Sequence, residues 1–273
     1  MLMYPAGPLS EETEAWLFDR QQQVNAESTR ATRHQRARDL FANKRTGAFN
    51  EIRARLAAMS PPGDACFYCE QDRRRDIDHI RPLRHYPEHG FDWQNYVYAC
   101  AICNQDAKQD RCAIIDDQGS LIHLDRSWPD DKPLPPGTYA RIDIRCENPL
   151  DFLAVEFDTG WLVPIAEDGI ARQRALYPRD LFNLDQDVLS RARRQAHRHF
   201  VQYLELLVQA RASGDKQRAK HIENEIRDLP HPTVLAEMRR LAPSQPKLAA
   251  LMQNLPPDLG GDTVQRVSTG GPS

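Results

Sequence analysis

Two cysteine knuckles, Cys66-Phe-Tyr-Cys69 and Cys100-Ala-Ile-Cys103, stand 30 residues apart and constrain this chain more than any other feature. Each CxxC turn presents two thiolates, and two turns supply the four tetrahedral ligands of a closed zinc shell. Such a shell leaves the ion no open position, so zinc here is expected to be structural. It would pin both ends of a segment with few large apolar residues. Redox chemistry is the competing reading of CxxC, and the second pair argues against it. Nested among the knuckles is a further set that zinc does not need: Asp78, His79, Asn95, Asn104 and Lys108.

No apolar run approaches the length needed to span a bilayer, and the first residues, Met1-Leu-Met-Tyr-Pro, lack a signal peptide's basic start and apolar core. A cytoplasmic location is expected, where paired cysteines serve as metal ligands more often than as disulfides. Cys112 and Cys146 are left over and read as buried free thiols. The net charge of -3 is uninformative until it is resolved by segment. Residues 30–58 hold eight bases (Arg30, Arg33, Arg36, Arg38, Lys44, Arg45, Arg53, Arg55) against Asp39 and Glu51. Residues 171–199 hold seven arginines against three aspartates, while residues 115–168 hold twelve acids against four bases. This segregation suits a basic face for a polyanion, and equally a set of solvated helix faces.

Helices are expected over residues 9–23, with Ser10 as N-cap, over 27–43 and over 48–59, ending at the breaker Ser60-Pro-Pro-Gly63. Asp116-Asp-Gln-Gly119 reads as a hairpin turn. Alternation over residues 139–144 and 153–157 predicts short strands. Further helices are expected over about 185–212, 215–228 and 231–241. The domain boundaries that follow are a helical segment over 1–60, a core over 61–125, an acidic strand and loop region over 126–184, and a helical region over 185–245. A disordered tail is expected over 253–273, where Pro, Gly, Ser and Thr accumulate.

The chemistry concentrates in Arg75-Asp-Ile-Asp-His-Ile-Arg-Pro82. A histidine directly after an aspartate on a strand permits a division of labour. Asp78 can bind a hard cation while neutral His79 takes a proton from water. Asn95, at the end of a loop before the strand Tyr96-Val-Tyr-Ala99, can bond across that loop and hold His79; its bland reading is a turn asparagine. Asn104 can face Asp78 from the start of a helix. Lys108, one turn later, can touch a phosphate.

The string Asp78-His79-Ile80-x-Pro82, then Asn95, then Cys100-x-x-Cys103-Asn104-x-x-x-Lys108 resembles the HNH endonuclease family, in its four-cysteine zinc variant. The resemblance implies an α+β protein with a zinc-stapled ββα-metal nuclease core in a mostly helical shell. It implies His79 as general base, Asp78 and Asn104 as ligands of a catalytic Mg2+ or Mn2+, and Asn95 as the residue that orients the histidine loop. Lys108 stands where some members place another metal-binding histidine. More loosely, Cys66-x-Tyr-Cys69-Glu70, Phe91-Asp-Trp-x-Asn95, Asn148-Pro-Leu, Gly160-x-x-x-Pro164 and Leu181-x-Asn183-Leu184 resemble the nuclease component of Septu-type antiphage systems. That component is paired with a separate ATPase. The expected activity is metal-dependent hydrolysis of DNA. An RNA-cleaving effector and a non-catalytic zinc module are the alternatives.

Overall fold

Three capped helices open the chain. Ser10 accepts from the Thr13 amide at the start of α1 (Glu11–Asn25), Thr29 and Thr32 form a capping box on α2 (Arg30–Ala42), and Thr46 caps α3 (Gly47–Met59). Glu51 of α3 reaches back to the cap of α1, accepting from Ser10 and Thr13 at 2.6 Å each. These bonds hold its carboxyl down to about 2. The three helices converge on one aromatic cluster, with Trp16 against Phe49 at 5.4 Å and Phe41 against Phe49 at 5.2 Å.

A computed structural model describes residues 1–43, 46–74, 76–257 and 259 of the chain. Lys44, Arg45, Arg75 and the tail beyond residue 259 lie outside the described residues. Where the disordered tail was expected to begin, Leu255 and Leu259 are instead buried, and Arg239 donates to the carbonyls of Pro256 and Leu259. Leucines spaced along an otherwise polar stretch are enough to dock it.

The helical cluster covers a two-stranded antiparallel hairpin, β1 (Asp76–His79) with β2 (Tyr96–Ala99), in the register His79 opposite Tyr96. One wide π-helical turn (Ile102–Lys108) follows it. A second sheet has the order β4-β3-β5, from β3 (Cys112–Ile115), β4 (Leu121–Leu124) and β5 (Thr138–Tyr139). Its β3–β4 turn is the expected one, with Gly119 at φ +80° and Asp116 accepting from two amides of the turn. A third pair joins β6 (Leu153–Val155) to β7 (Leu162–Pro164).

Two expectations fail in this middle region. The strand expected over 139–144 stops at Tyr139, and Arg141 beyond it is almost wholly buried. The region 126–184 also contains a helix, α4 (Gly169–Leu181), which Pro178 concealed in the sequence. Cys112 is buried as expected, whereas Cys146 is exposed, in a tight turn where its amide bonds Asp143.

The chain ends in α5 (Asp187–Ala212), α6 (Lys216–Asp228), α7 (Pro232–Leu241) and α8 (Pro246–Met252). α5 buries a stripe of Leu189, Ala196, Phe200, Leu204 and Leu207, the spacing of one helical face. No described helix is long and apolar enough to cross a membrane.

Candidate functional site

The two knuckles meet because β2 carries the second of them and the first is tied to β2. The Phe67 amide donates to the Tyr98 carbonyl at 3.0 Å, and Glu70 takes the left-handed conformation (φ +56°) that closes the first turn. The result is four buried sulfur atoms that all lie within 4.8 Å of one another. Four sulfurs at about 2.3 Å from a tetrahedral zinc stand about 3.8 Å apart, and Cys69 Sγ and Cys100 Sγ are 3.9 Å apart. The amides of Tyr68 and Cys103 donate to Cys66 Sγ and Cys100 Sγ at 3.4 Å, as donors to a thiolate would. Burial pushes the Cys66 thiol up, so ionising the full set calls for a cation at its centre. The donor set fits structural zinc.

Beside the knuckles, β1 divides its side chains between two faces, since successive residues of a strand point to opposite sides. His79 lies on the face that the N-terminal helices cover. Its ring packs against Phe41 at 4.6 Å and Tyr96 at 5.1 Å, and 7% of the residue is exposed. Nε2 is 2.9 Å from the Gly90 carbonyl oxygen, which also accepts from the Tyr96 hydroxyl at 2.7 Å. A carbonyl only accepts, so Nε2 carries the proton and Nδ1 is the basic nitrogen.

Asn95 does not touch His79 in any bond of this network. It closes the loop that carries Gly90: Nδ2 donates to the carbonyls of Arg81 at 3.1 Å and His89 at 2.8 Å, and Oδ1 accepts from the Arg81 amide at 2.7 Å. The side chain expected to hold His79 thus holds the backbone to which His79 is bonded.

Asp76 and Asp78 occupy the other face. The helical turn after Cys103 runs alongside this face of β1. Asn104 consequently meets Asp76, donating from Nδ2 at 3.4 Å, and Gln105 donates to the same oxygen at 2.7 Å. Lys108 meets Asp78, with Nζ at 2.6 Å from Oδ1. Asp78 Oδ2 accepts from the Tyr68 hydroxyl at 2.8 Å, and Tyr68 accepts in turn from Arg141 Nη2 at 2.7 Å. Burial raises the Tyr68 phenol well above its ordinary value, so it stays a donor, and burial also lowers the Lys108 ammonium against the opposing charge of Asp78.

Three of the expected site residues have partners within the protein. Lys108 is 2% exposed and ion-paired, so its ammonium does not face a phosphate at the surface. Asp78 is bonded to Lys108 and Tyr68, and Asn104 turns to Asp76. Tyr68 and Arg141 were not anticipated as site residues. Tyr68 was marked only within the string Cys66-x-Tyr-Cys69-Glu70, with no role attached, and Arg141 lies 63 positions after Asp78 with no local pattern to mark it.

Residues 66–110 match the HNH endonuclease family. No curated protein and no solved structure matches the chain significantly. The matched segment contains both knuckles, the β1–β2 hairpin and the π-helical turn, in the order strand, strand, helix. The chain carries an HNH endonuclease domain at residues 66–110, with four cysteines gathered closely enough to hold a zinc ion.

Proposed function

We propose that this protein is an HNH endonuclease that hydrolyses DNA phosphodiester bonds with His79 as general base. The observation that carries the reading is the match of residues 66–110 to the HNH endonuclease family, and the His79–Gly90 bond fixes the tautomer in which Nδ1 is the basic nitrogen. Tyr96 and Phe41 pack on the ring, and Asn95 holds the His89 carbonyl, one residue before the Gly90 carbonyl that sets its tautomer. The arginines of α2 and α5 supply polyanion affinity: α2 alone has four against one aspartate.

Oxygen donors beside β1 suit Mg2+ or Mn2+ better than zinc, and such an ion would polarise the scissile phosphate. As the side chains stand, Asp78 and Asn104 do not form its site, so the roles argued from this geometry belong to protein groups. The Septu-like motifs support an antiphage role beside a companion ATPase. The acidic stretch over 115–168 and the helices from α5 onward are the surfaces proposed for that partner. Thiols gathered for a metal suit a reducing cytoplasm.

The test is plasmid cleavage by zinc-loaded wild type and His79→Ala under added Mg2+ or Mn2+, with an RNA substrate in parallel. His79→Ala is expected to retain zinc and DNA affinity while cleavage drops by about 10²–10⁴-fold. Equal cleavage by the two proteins removes His79 as base, and cleavage confined to RNA overturns the DNA assignment.

A further inference from the structure

The Asp78 carboxylate is the natural place to look for a hard-cation ligand, and each of its oxygens already accepts a hydrogen bond from a buried side chain. Lys108 Nζ lies 2.6 Å from Oδ1. A Mg2+ or Mn2+ ion on that oxygen would sit at about 2.1 Å, so the ammonium nitrogen stands within about half an ångström of the same radial distance. The second oxygen is held by Tyr68, which is itself locked by Arg141 and by stacking on Phe182 at 4.3 Å. Arg141 also donates to the Ile80 carbonyl at 2.6 Å, immediately after His79. The carboxylate therefore cannot rotate towards an incoming ion without breaking a network anchored outside the HNH segment. Charge points the same way. One carboxylate already faces the buried cation Lys108, with a second, Arg141, one hydroxyl away. A dication added to Asp78 would meet the Lys108 ammonium at close range in a dry site.

We infer that the Lys108 ammonium is the resident cation of Asp78, taking the place that a divalent ion would need. Asp78 is then a positioning residue rather than a metal ligand. It fixes β1 against the π-helical turn and holds the strand that ends in His79. Any dependence of cleavage on Mg2+ or Mn2+ arises at other oxygens, on the substrate or elsewhere on the protein.

The inference deepens the nuclease reading, yet its test is read from ion binding and needs no cleavage, so either can fail alone. Mn2+ binding to the zinc-loaded full chain is followed by electron paramagnetic resonance for wild type, for Asp78→Asn/Lys108→Met and for Lys108→His. The double variant removes both buried charges and keeps an acceptor for Tyr68, which avoids the stranded charge of either single loss. It is expected to fold and to bind Mn2+ as wild type does. Lys108→His exchanges the ammonium for an imidazole beside a released carboxylate, and is expected to gain Mn2+ affinity by about tenfold or more. A wild-type affinity that falls by about tenfold or more in the folded double variant overturns the inference, because Asp78 would then be carrying the ion. A folded Lys108→His that binds no better than wild type also overturns it. Should Lys108→His fail to fold, the double variant decides by itself.

Discussion

A buried carboxylate that receives a hydrogen bond on each oxygen is held in one rotamer, and Asp78 is in that state between Lys108 and Tyr68. Tyr68 is the residue to test for stability. Its hydroxyl joins Asp78 to Arg141, so Tyr68→Phe strands an acceptor and a donor while leaving the packing on Phe182 intact. The expected cost is about 1–3 kcal/mol, read from the shift in urea midpoint at constant slope. A loss near zero would mean that the Asp78–Lys108 pair is self-sufficient. The motif residues themselves were legible, because an aspartate–histidine pair between two knuckles is a short-range pattern. Their partners were not. Whether Lys108 faces solvent or Asp78 depends on the phase of the helical turn relative to β1.

At the scale of elements, the knuckles are the joint on which the site turns. They bring the segment before β1 to the end of β2, where Phe67 is buried against Tyr4 at 4.3 Å. One zinc per chain is expected by elemental analysis. Cys100→Ser is expected to lose zinc and lower the thermal midpoint or the soluble yield, since binding energy at such a site is folding energy. Zinc-free protein of undiminished stability would contradict the structural role. The β6–β7 hairpin has a different fastening. Gly160 has φ +75°, and a Cβ on it would stand 2.0 Å from the Ser190 carbonyl oxygen of α5. Arg193 also donates to the Gly160 carbonyl, at 2.5 Å. Gly160→Ala therefore combines backbone strain with a backbone clash, and a loss of about 2–4 kcal/mol is expected. Thermal unfolding of Gly160→Ala against wild type measures it; an unchanged midpoint would show that the hairpin moves away freely.

Across the whole molecule, two buried histidines make stability depend on pH. His85 and His231 are each held down to about 4, first by burial and then, for His85, by the charge of Arg30. In the unfolded chain an imidazole titrates near 6.5. Between those values the unfolded state binds more protons, so stability is full above about 6.5 and declines as pH falls towards about 4. The slope is about 1.4 kcal/mol per pH unit for each histidine. Urea midpoints across that window should fall steadily with acidification, and His231→Gln should make the decline shallower. A flat profile would mean that neither imidazole stays neutral in the fold. At this scale the chain also brings together distant parts: Glu70 of the first knuckle receives Thr233 of α7, and His231 meets Gln71 at 2.9 Å.

The sequence by itself determined the zinc cluster, the hairpin and its histidine, and most of the helices, because each is written in local chemistry: thiolate spacing, period-two alternation, caps and breakers. It concealed α4, where a proline near the helix end imitates a stop, and the inward turn at Arg141, where alternation imitated a strand. Only the tertiary structure decided that Asp78 is paired with Lys108, that Asn104 belongs to Asp76, and that His79 is held through Gly90 by Asn95. Those pairings depend on the register of one helical turn along one strand and on side chains from distant segments. No pattern confined to a few consecutive residues encodes them.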